Sequence, residues 1–385
     1  MSQYLAYEFD IDVDGSDFEL NPSEFGITLR DSIHEFYSKA NLEVQDVTGV
    51  MNEYGLFLNG TSVEVLFGRE QDENNSNSYV VNTAPIVEMT HPGLVAGTID
   101  VNLIHQFASV QSVESAAHEG ENSEFVEDLL EDGEFEEVRI QPTAWSRIWY
   151  RPQLTQRQTI QLLCEKAYSP DAERTPYFCF IDSRNIFHYE SYEAMMNTSS
   201  LKELLVRPED SESHTGRAVY EIYPIPPRFT DKPWRHRQYW ITNEGKIEKK
   251  ERGLDEVGSQ PGQSPLIVDE DLISTYHYEW QKKTEEQREA KFAKSLKDSL
   301  FLQRYVVYAP LDTRMVAGRT IDLSITHYSE NGRETSPASS GKYLIEASEH
   351  RWDGPEQSSY SKLLLTRNRN EYPASYLVGD RTYGS

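Results

Sequence analysis

Between Tyr7 and Val13 apolar side chains alternate strictly with carboxylates: Tyr7, Phe9, Ile11 and Val13 against Glu8, Asp10 and Asp12. A period of two belongs to a strand with one dry and one wet face, and a helix would scatter the same carboxylates around its axis. A turn follows at Asp14-Gly15-Ser16. Residues 27–47 alternate less cleanly, through Ile27, Leu29, Leu42 and Val44. Residues 56–67 (LFLNGTSVEVLF) read as a hairpin turning at Asn59-Gly60, the strongest short hairpin signal. The polar stretch 70–78 reads as a loop, and Tyr79–Met89 and Thr98–Ile104 as two further strands. Five or six strands within about 110 residues suggest a small barrel or a sandwich.

Charge divides the chain unevenly. The 385 residues carry 64 acidic and 37 basic side chains, a net charge of −27. Residues 1–138 hold 29 of the acids and only three bases, Arg30, Lys39 and Arg69. The remainder is nearly neutral. A surface this acidic repels phosphates, so nucleic-acid binding is disfavoured for the first third. Ten carboxylates and no base occur in 119–137, which reads as a mobile loop or a solvated face. No apolar run approaches the ~18 residues of a membrane span. The first residues have no basic or apolar region of the secretory kind, so no export signal is expected. Cys164 and Cys179 lack C-x-x-C spacing and read as two buried free thiols.

The middle changes character. Thr159–Lys166 has helical apolar spacing, with Thr155 as a cap. Pro176–Ile181 reads as a buried strand and Asn185–Tyr189 as its hairpin partner, with Leu201–Val206 a short element beyond. A strand at 218–225 stops at Pro224, Pro226 and Pro227, and 257–265 reads as a linker. Residues 277–303 carry the best helical pattern, without Gly or Pro and with Phe292, Leu296 and Leu300 four apart. Strands return at 304–310, 319–326, 342–352 and 361–368, with 331–341 as a turn-rich loop.

Gly60–Phe67 (GTSVEVLF) and Gly318–Ile325 (GRTIDLSI) share a pattern: glycine, a polar pair, then aliphatic, acid, aliphatic, any, aliphatic. In each case a polar loop leads to a strand near an aromatic, Tyr79 or Tyr343. Chance similarity and a true duplication both remain open for so short a pattern.

Chemical motifs are scarce. Asp10-x-Asp12-x-Asp14-Gly15 resembles the start of a calcium loop, yet its twelfth position is Asn21 rather than a bidentate Glu. An acidic strand face is the better reading of Asp10, Asp12 and Asp14. No histidine pair has ligand spacing, and His236 and His350 read as surface or packing residues. Nucleophile-elbow, P-loop and dinucleotide signatures do not occur. Arg228 to Arg237 mixes bases with Trp234 and reads as a surface or subunit contact. No enzyme, catalytic residue or cofactor is expected.

The order of these pieces resembles the central baseplate hub proteins of contractile-tailed bacteriophages, T-even-like in particular. It is more loosely similar to the base of the VgrG spike of type VI secretion. The resemblance is carried by Leu29-Arg30-Asp31-Ser32, the Asn59-Gly60 segment running into VEVLF, and residues 98–117. It continues through 159–168, 178–196 and 340–368. The acidic run 119–137 and the proline-rich 224–233 have no counterpart in it.

The resemblance implies a mainly β chain in which two small tube-type barrels flank a mixed α/β middle domain. The first barrel would take residues 1–112, and the second 216–244 with 304–385. The middle domain would take 113–215 and 245–303. It further implies a virion protein without catalysis: a homotrimer whose six barrels join a sixfold tail tube to a threefold spike. Partners would be the spike, tube, tape-measure and surrounding wedge or sheath-proximal proteins. DNA would pass the lumen without specific binding, and the acidity of the first third is expected to line or rim that passage. The competing readings are an acidic carbohydrate- or calcium-binding β protein and a peptidoglycan hydrolase.

Overall fold

The computed structural model describes residues 7–13, 20, 22–46, 57–69, 75–82, 86–89, 97–131, 133–144, 146–167, 176–206, 217–225, 234–241, 246–253, 273–279, 303–329, 332–336, 339–356 and 358–367. The chain is mainly β. The first strands are β1 (Tyr7–Val13), β2 (Phe25–Ser32), β3 (Lys39–Asp46), β4 (Ser62–Arg69), β5 (Asn75–Val81), β6 (Ile86–Met89) and β7 (Gly97–His105). The middle holds β8 (Val113–Gly120), helix α1 (Asn122–Leu129), β9 (Glu137–Ile140), β10 (Arg147–Thr155), helix α2 (Gln156–Glu165), β11 (Tyr177–Ile181), β12 (Ile186–Ser191) and helix α3 (Tyr192–Asn197). Then come β13 (Glu203–Val206), β14 (Glu221–Ile225), β15 (Trp234–Ile241), β16 (Ile247–Gly253) and β17 (Ile273–Glu279). The last are β18 (Gln303–Ala309), β19 (Thr320–Ser329), β20 (Gly332–Thr335), β21 (Gly341–Asp353) and β22 (Ser358–Arg367).

One large sheet runs β1-β4-β5-β7-β3-β2-β21-β22-β18-β14, with β6 on β7, and β19 on β21 together with β13 and β20. In β1 the alternation does what it must: Phe9, Ile11 and Val13 are buried while Asp10 and Asp12 face solvent. Two apolar cores lie against this sheet. One gathers Phe25, Leu29, Leu42, Val65, Tyr79 and Val101, the other Val307, Ile321, Tyr343, Ile345, Leu363 and Leu365.

The similarity around Gly60 and Gly318 extends to the backbone. Both glycines have positive φ, 90° and 81°, at the third position of a turn closed by Thr61 N to Leu58 O and by Arg319 N to Val316 O. Such a φ is open to glycine at little cost. Gly60 N donates to Val81 O and Val81 N to Thr61 O; Gly318 N donates to Ile345 O and Ile345 N to Arg319 O. Val63 then pairs with Tyr79, and Ile321 with Tyr343, both tyrosines fully buried. The pairing order matches strand for strand: β4-β5-β7-β3-β2 in one half, β19-β21-β22-β18-β14 in the other. β13 departs from this by running parallel to β19, whereas β1 is antiparallel to β4. The halves join where β2 pairs with the far part of β21.

Several expectations are corrected. The Asn59-Gly60 turn forms, but no hairpin does, because both edges of β4 are taken by β1 and β5. The expected loop 70–78 supplies the first half of β5, and Tyr79–Met89 divides into β5 and β6. Within the expected loop 331–341, residues 332–335 form β20 against β19. β15 lies in a separate sheet with β16 and β17, so 234–241 does not extend the sheet of β18. Residues 277–279 of the expected helix belong to β17, and 280–302 lie outside the described residues, as does the expected linker 257–265.

The middle packs a third core around Phe36, Phe107, Phe125, Ile160, Leu163 and Phe187. Its α2 begins at Thr155, as expected: Gln158 N donates to Thr155 Oγ1 and Thr155 N to Gln158 Oε1, a capping box. The acidic run is no loop but contains α1, which buries Phe125, Val126 and Leu129. Carboxylates crowd its outer side because only its apolar stripe has to be dry. Cys164 is buried and Cys179 only half-buried, both as free thiols.

Candidate functional site

Where the three cores meet, a small fourth cluster packs Ile33, Phe178, Phe180, Met195, Ala317 and Leu344. Polar groups from all parts of the chain fasten it. Asp31 continues the inward phase of Phe25, Ile27 and Leu29 at the end of β2, so strand periodicity drives a carboxylate into the interior. Its Oδ2 accepts from Ser183 N at 2.9 Å, and its Oδ1 from Ala317 N at 3.0 Å and Ser348 Oγ at 2.5 Å. One carboxylate thus ties β2 to the β11–β12 turn, to the turn before β19 and to β21. Burial, and then the nearby Asp182, hold its pKa above the usual carboxylate range.

Beside it, the register of β21 shifts between Ile345 and Ala347. The extra residue of this bulge is Glu346, 3% exposed. Its Oε2 accepts from Arg304 Nε at 2.9 Å, a second Arg304 N–H reaches its Oε1, and His34 Nε2 lies 3.1 Å from Oε1. Its carbonyl accepts from Ile33 N at 3.0 Å. A bulge re-aims a side chain without ending the ladder, and here it turns a carboxylate onto the Arg304 guanidinium and the His34 ring.

His188 is buried between two carboxylates, Asp182 Oδ2 at 3.1 Å and Glu190 Oε2 at 2.8 Å. Its ring stacks on Phe180 with centroids 4.5 Å apart. Ionised carboxylates only accept, so both ring nitrogens must donate. Burial works against that charge, but the bonds to Asp182 and Glu190 outweigh it and raise the pKa. His105 is the opposite case. Its Nδ1 accepts from Phe107 N at 3.1 Å, leaving Nε2 to donate to Asn185 Oδ1 at 2.8 Å, and burial lowers its pKa to about 4. Asp312 is held ionised against burial by Arg314 and Lys202, with Lys202 Nζ at 2.7 Å. Gly318 touches this joint directly: a Cβ on it would stand 2.7 Å from Phe180 Cζ.

The second feature is the other side of the large sheet. Strands β7, β3, β2, β21, β22, β18 and β14 turn one face to the cores. Among the described residues their opposite face is mostly half-buried or exposed, with Thr28, Asp353 and Thr366 buried on it. It carries Asp100, Glu43, Glu349 and Glu221 against Lys39, Arg30, Arg351 and Lys362, so charge nearly balances. Arg30 Nε bonds Glu349 Oε2 at 3.0 Å, and Lys362 Nζ stands 3.7 Å from Glu349 Oε1. At the junction of the halves this face dips into a groove of about 500 Å³, floored by Val306 and Leu364 and edged by Arg30 and Lys39. Two of the three bases in the first 138 residues therefore stand here. Among the described residues, further carboxylates of the first third stand elsewhere, at Asp10 and Asp12 on β1 and around α1. Of the described carboxylates of the first third, this face carries Glu43 and Asp100.

The residues singled out in the sequence do not converge. Asp10 and Asp12 project outward from β1, and Asp14 lies outside the described residues. Among the described residues no group of three His, Cys, Asp or Glu side chains is placed to hold a metal ion. His350 is buried, with Nδ1 2.8 Å from Ser361 Oγ. The backbone of Trp234–Arg237 belongs to β15, while 226–233 lies outside the described residues. The joint residues Asp31, His188 and Glu346 were missed, although Asp31 left a signal as a carboxylate at an apolar phase position.

No protein-family model matches the chain, and no curated protein matches its sequence. Solved structures do share its fold. The tail protein from Neisseria meningitidis MC58 is 7% identical with a TM-score of 0.62, over 96% of this chain and 98% of that one. The 43 kDa tail protein of prophage MuSo2 from Shewanella oneidensis is 10% identical with a TM-score of 0.61, over 95% and 99%. The half-lidded Francisella PdpA–VgrG complex is 9% identical with a TM-score of 0.53, over 96% of this chain and 59% of that one. The chain has the fold of these tail proteins and of the VgrG complex, as the order of its sequence segments led one to expect.

Proposed function

We propose that this protein is a structural subunit of a phage-type tail: the baseplate hub, a homotrimer that joins a sixfold tube to a threefold spike and leaves a passage for the genome. The observation that carries the reading is the duplication. One chain holds two similarly paired half-sheets, each with its own core, side by side in a continuous sheet. Three such chains present six similar units under threefold symmetry, which is what an adaptor between the two symmetries requires. The halves are read as two tube barrels, around residues 1–112 and around 216–225 with 304–367. The middle domain packs beside them, and α1 and α2 lie within it.

The sheet face left half-buried or exposed among the described residues is assigned to the channel wall. Its balance of carboxylates and cations would leave a passing polyanion little net attraction, the condition for transit without binding. Spike, tube, tape-measure and wedge proteins are the partners of such a hub, and the virion its location. The buried joint is suited to the same role, because a ring under load needs its two units to move as one body. Light scattering with electron microscopy tests the reading. The expected result is a hollow ring of three times the 44.4 kDa chain mass. A monomer at every concentration and salt would overturn it.

A further inference from the structure

We infer that the ring closes by a specific edge pairing between copies, β14 of one copy against β6 of the next, repeating between chains the β2–β21 joint found within one chain. The inference rests on the ring reading above and adds the surface that makes it.

The two halves correspond residue by residue. The glycine turns align Val80 with Leu344, since Ser62 faces Val80 and Thr320 faces Leu344. Val80 faces Ile104 on β7, and Leu344 faces Thr366 on β22. Along these strands the inward Ile99, Val101 and Leu103 match the inward Ser361, Leu363 and Leu365. Lys39 faces Ile104 and so corresponds to Arg304, the strand neighbour of Thr366. Arg30 faces Lys39, and Ile225 faces Arg304. β2 is therefore the counterpart of β14, with Arg30 standing for Ile225 and Thr28 for Tyr223.

On the other side of the joint, Glu349 faces Lys362 on β22. Lys362 corresponds to Asp100 on β7, and Asp100 faces Ile86. β5 and β6 together are thus the counterpart of the long β21, and β6 stands for the part of β21 that receives β2. Within the chain Arg30 faces Glu349 and Thr28 faces Arg351. The same joint between copies sets Ile225 opposite Ile86, and Tyr223 opposite Glu88.

Both edges are open among the described residues: β14 pairs in the sheet with β18 alone, and β6 with β7 alone. Burial agrees. Ile27 and Leu29, flanked by β21, are 1% and 0% exposed, whereas their counterparts Ile222 and Pro224 are half-buried and exposed. An unpaired edge exposes a row of backbone donors and acceptors and invites another strand. Pro224 has no N–H to give, so this joint lacks whatever bond the corresponding residue of β2 donates. The pairing joins unlike edges and is therefore heterologous, the kind that closes rings.

The test is a cysteine pair, Ile225→Cys with Ile86→Cys in one chain, oxidised mildly and run on a non-reducing gel. Covalent dimers and trimers are expected from the double variant, and none from either single variant. A ring-sized particle that forms no such cross-links overturns the edge pairing and leaves the hub reading standing. A monomer overturns both. Should the double variant misfold, amide exchange of the unaltered protein decides. Peptides covering 86–89 and 221–225 gain protection together as concentration rises through assembly, and exchange that ignores concentration refutes the pairing.

Discussion

Removing the Asp31 carboxylate should loosen the junction of the two halves before it loosens either half. In Asp31→Ala three buried donors lose their acceptor: Ser183 N, Ala317 N and Ser348 Oγ. Each orphaned buried donor costs about 1–3 kcal/mol. Relaxation and entering water reduce the sum, so about 3–5 kcal/mol is expected, within the range for breaking a buried charged pair. Asp31→Asn keeps an oxygen for Ala317 N and Ser348 Oγ and sets an amide N–H2 against Ser183 N. It should cost about 1–3 kcal/mol, one donor's worth. Urea titration followed by circular dichroism gives the two penalties. Amide exchange gives their location: an opening about 3 kcal/mol easier raises exchange at Ser183 and Ala317 roughly a hundredfold. Equal penalties for the two variants, or less than about 1 kcal/mol for Asp31→Ala, would show that the three donors find other acceptors and that the joint does not depend on this carboxylate.

Gly318→Ala meets both a positive φ and the Phe180 ring, so about 2–4 kcal/mol of destabilisation is expected, against about 1–2 for Gly60→Ala, whose Cβ has open space; thermal melts that rank them the other way refute the packing account. His188 has a raised folded pKa, so its contribution is complete below pH 6.5 and is lost as pH rises through the folded value; by NMR its ring signals should titrate with a midpoint above 6.5, and a midpoint below it refutes the account. His105 and His350 are both lowered to about 4, chiefly by burial, so their contribution is complete above pH 6.5 and lost as pH falls toward 4. The acid limb of a melting-temperature profile should flatten in His350→Gln, and an unchanged limb would mean that this ring is already charged in the fold.

Strand periodicity and turn chemistry determined much of this protein in advance, because they act between neighbours in sequence. The face of β1, the cap of α2, the β11–β12 hairpin and the turn at Gly60 could all be read from adjacent residues. The order of segments was enough to indicate the fold. What the sequence did not determine were choices made by distant partners. Asn59-Gly60 signalled a hairpin, yet β1 and β5 occupy both edges of β4, and edge occupancy is a property of the whole sheet. The acidic run read as a loop or a solvated face, yet Phe125, Val126 and Leu129 bury one stripe of it, packed against β8 and against α2, whose residues lie some thirty positions further along the chain. Asp31, Glu346 and His188 became a joint only because their partners lie across three cores. A buried charge is tolerable only beside a particular partner, and the sequence names the charge without naming the neighbour. The alternation at Tyr7–Val13 required a sheet; only the tertiary structure decided that the two halves would share one, through β2 and β21.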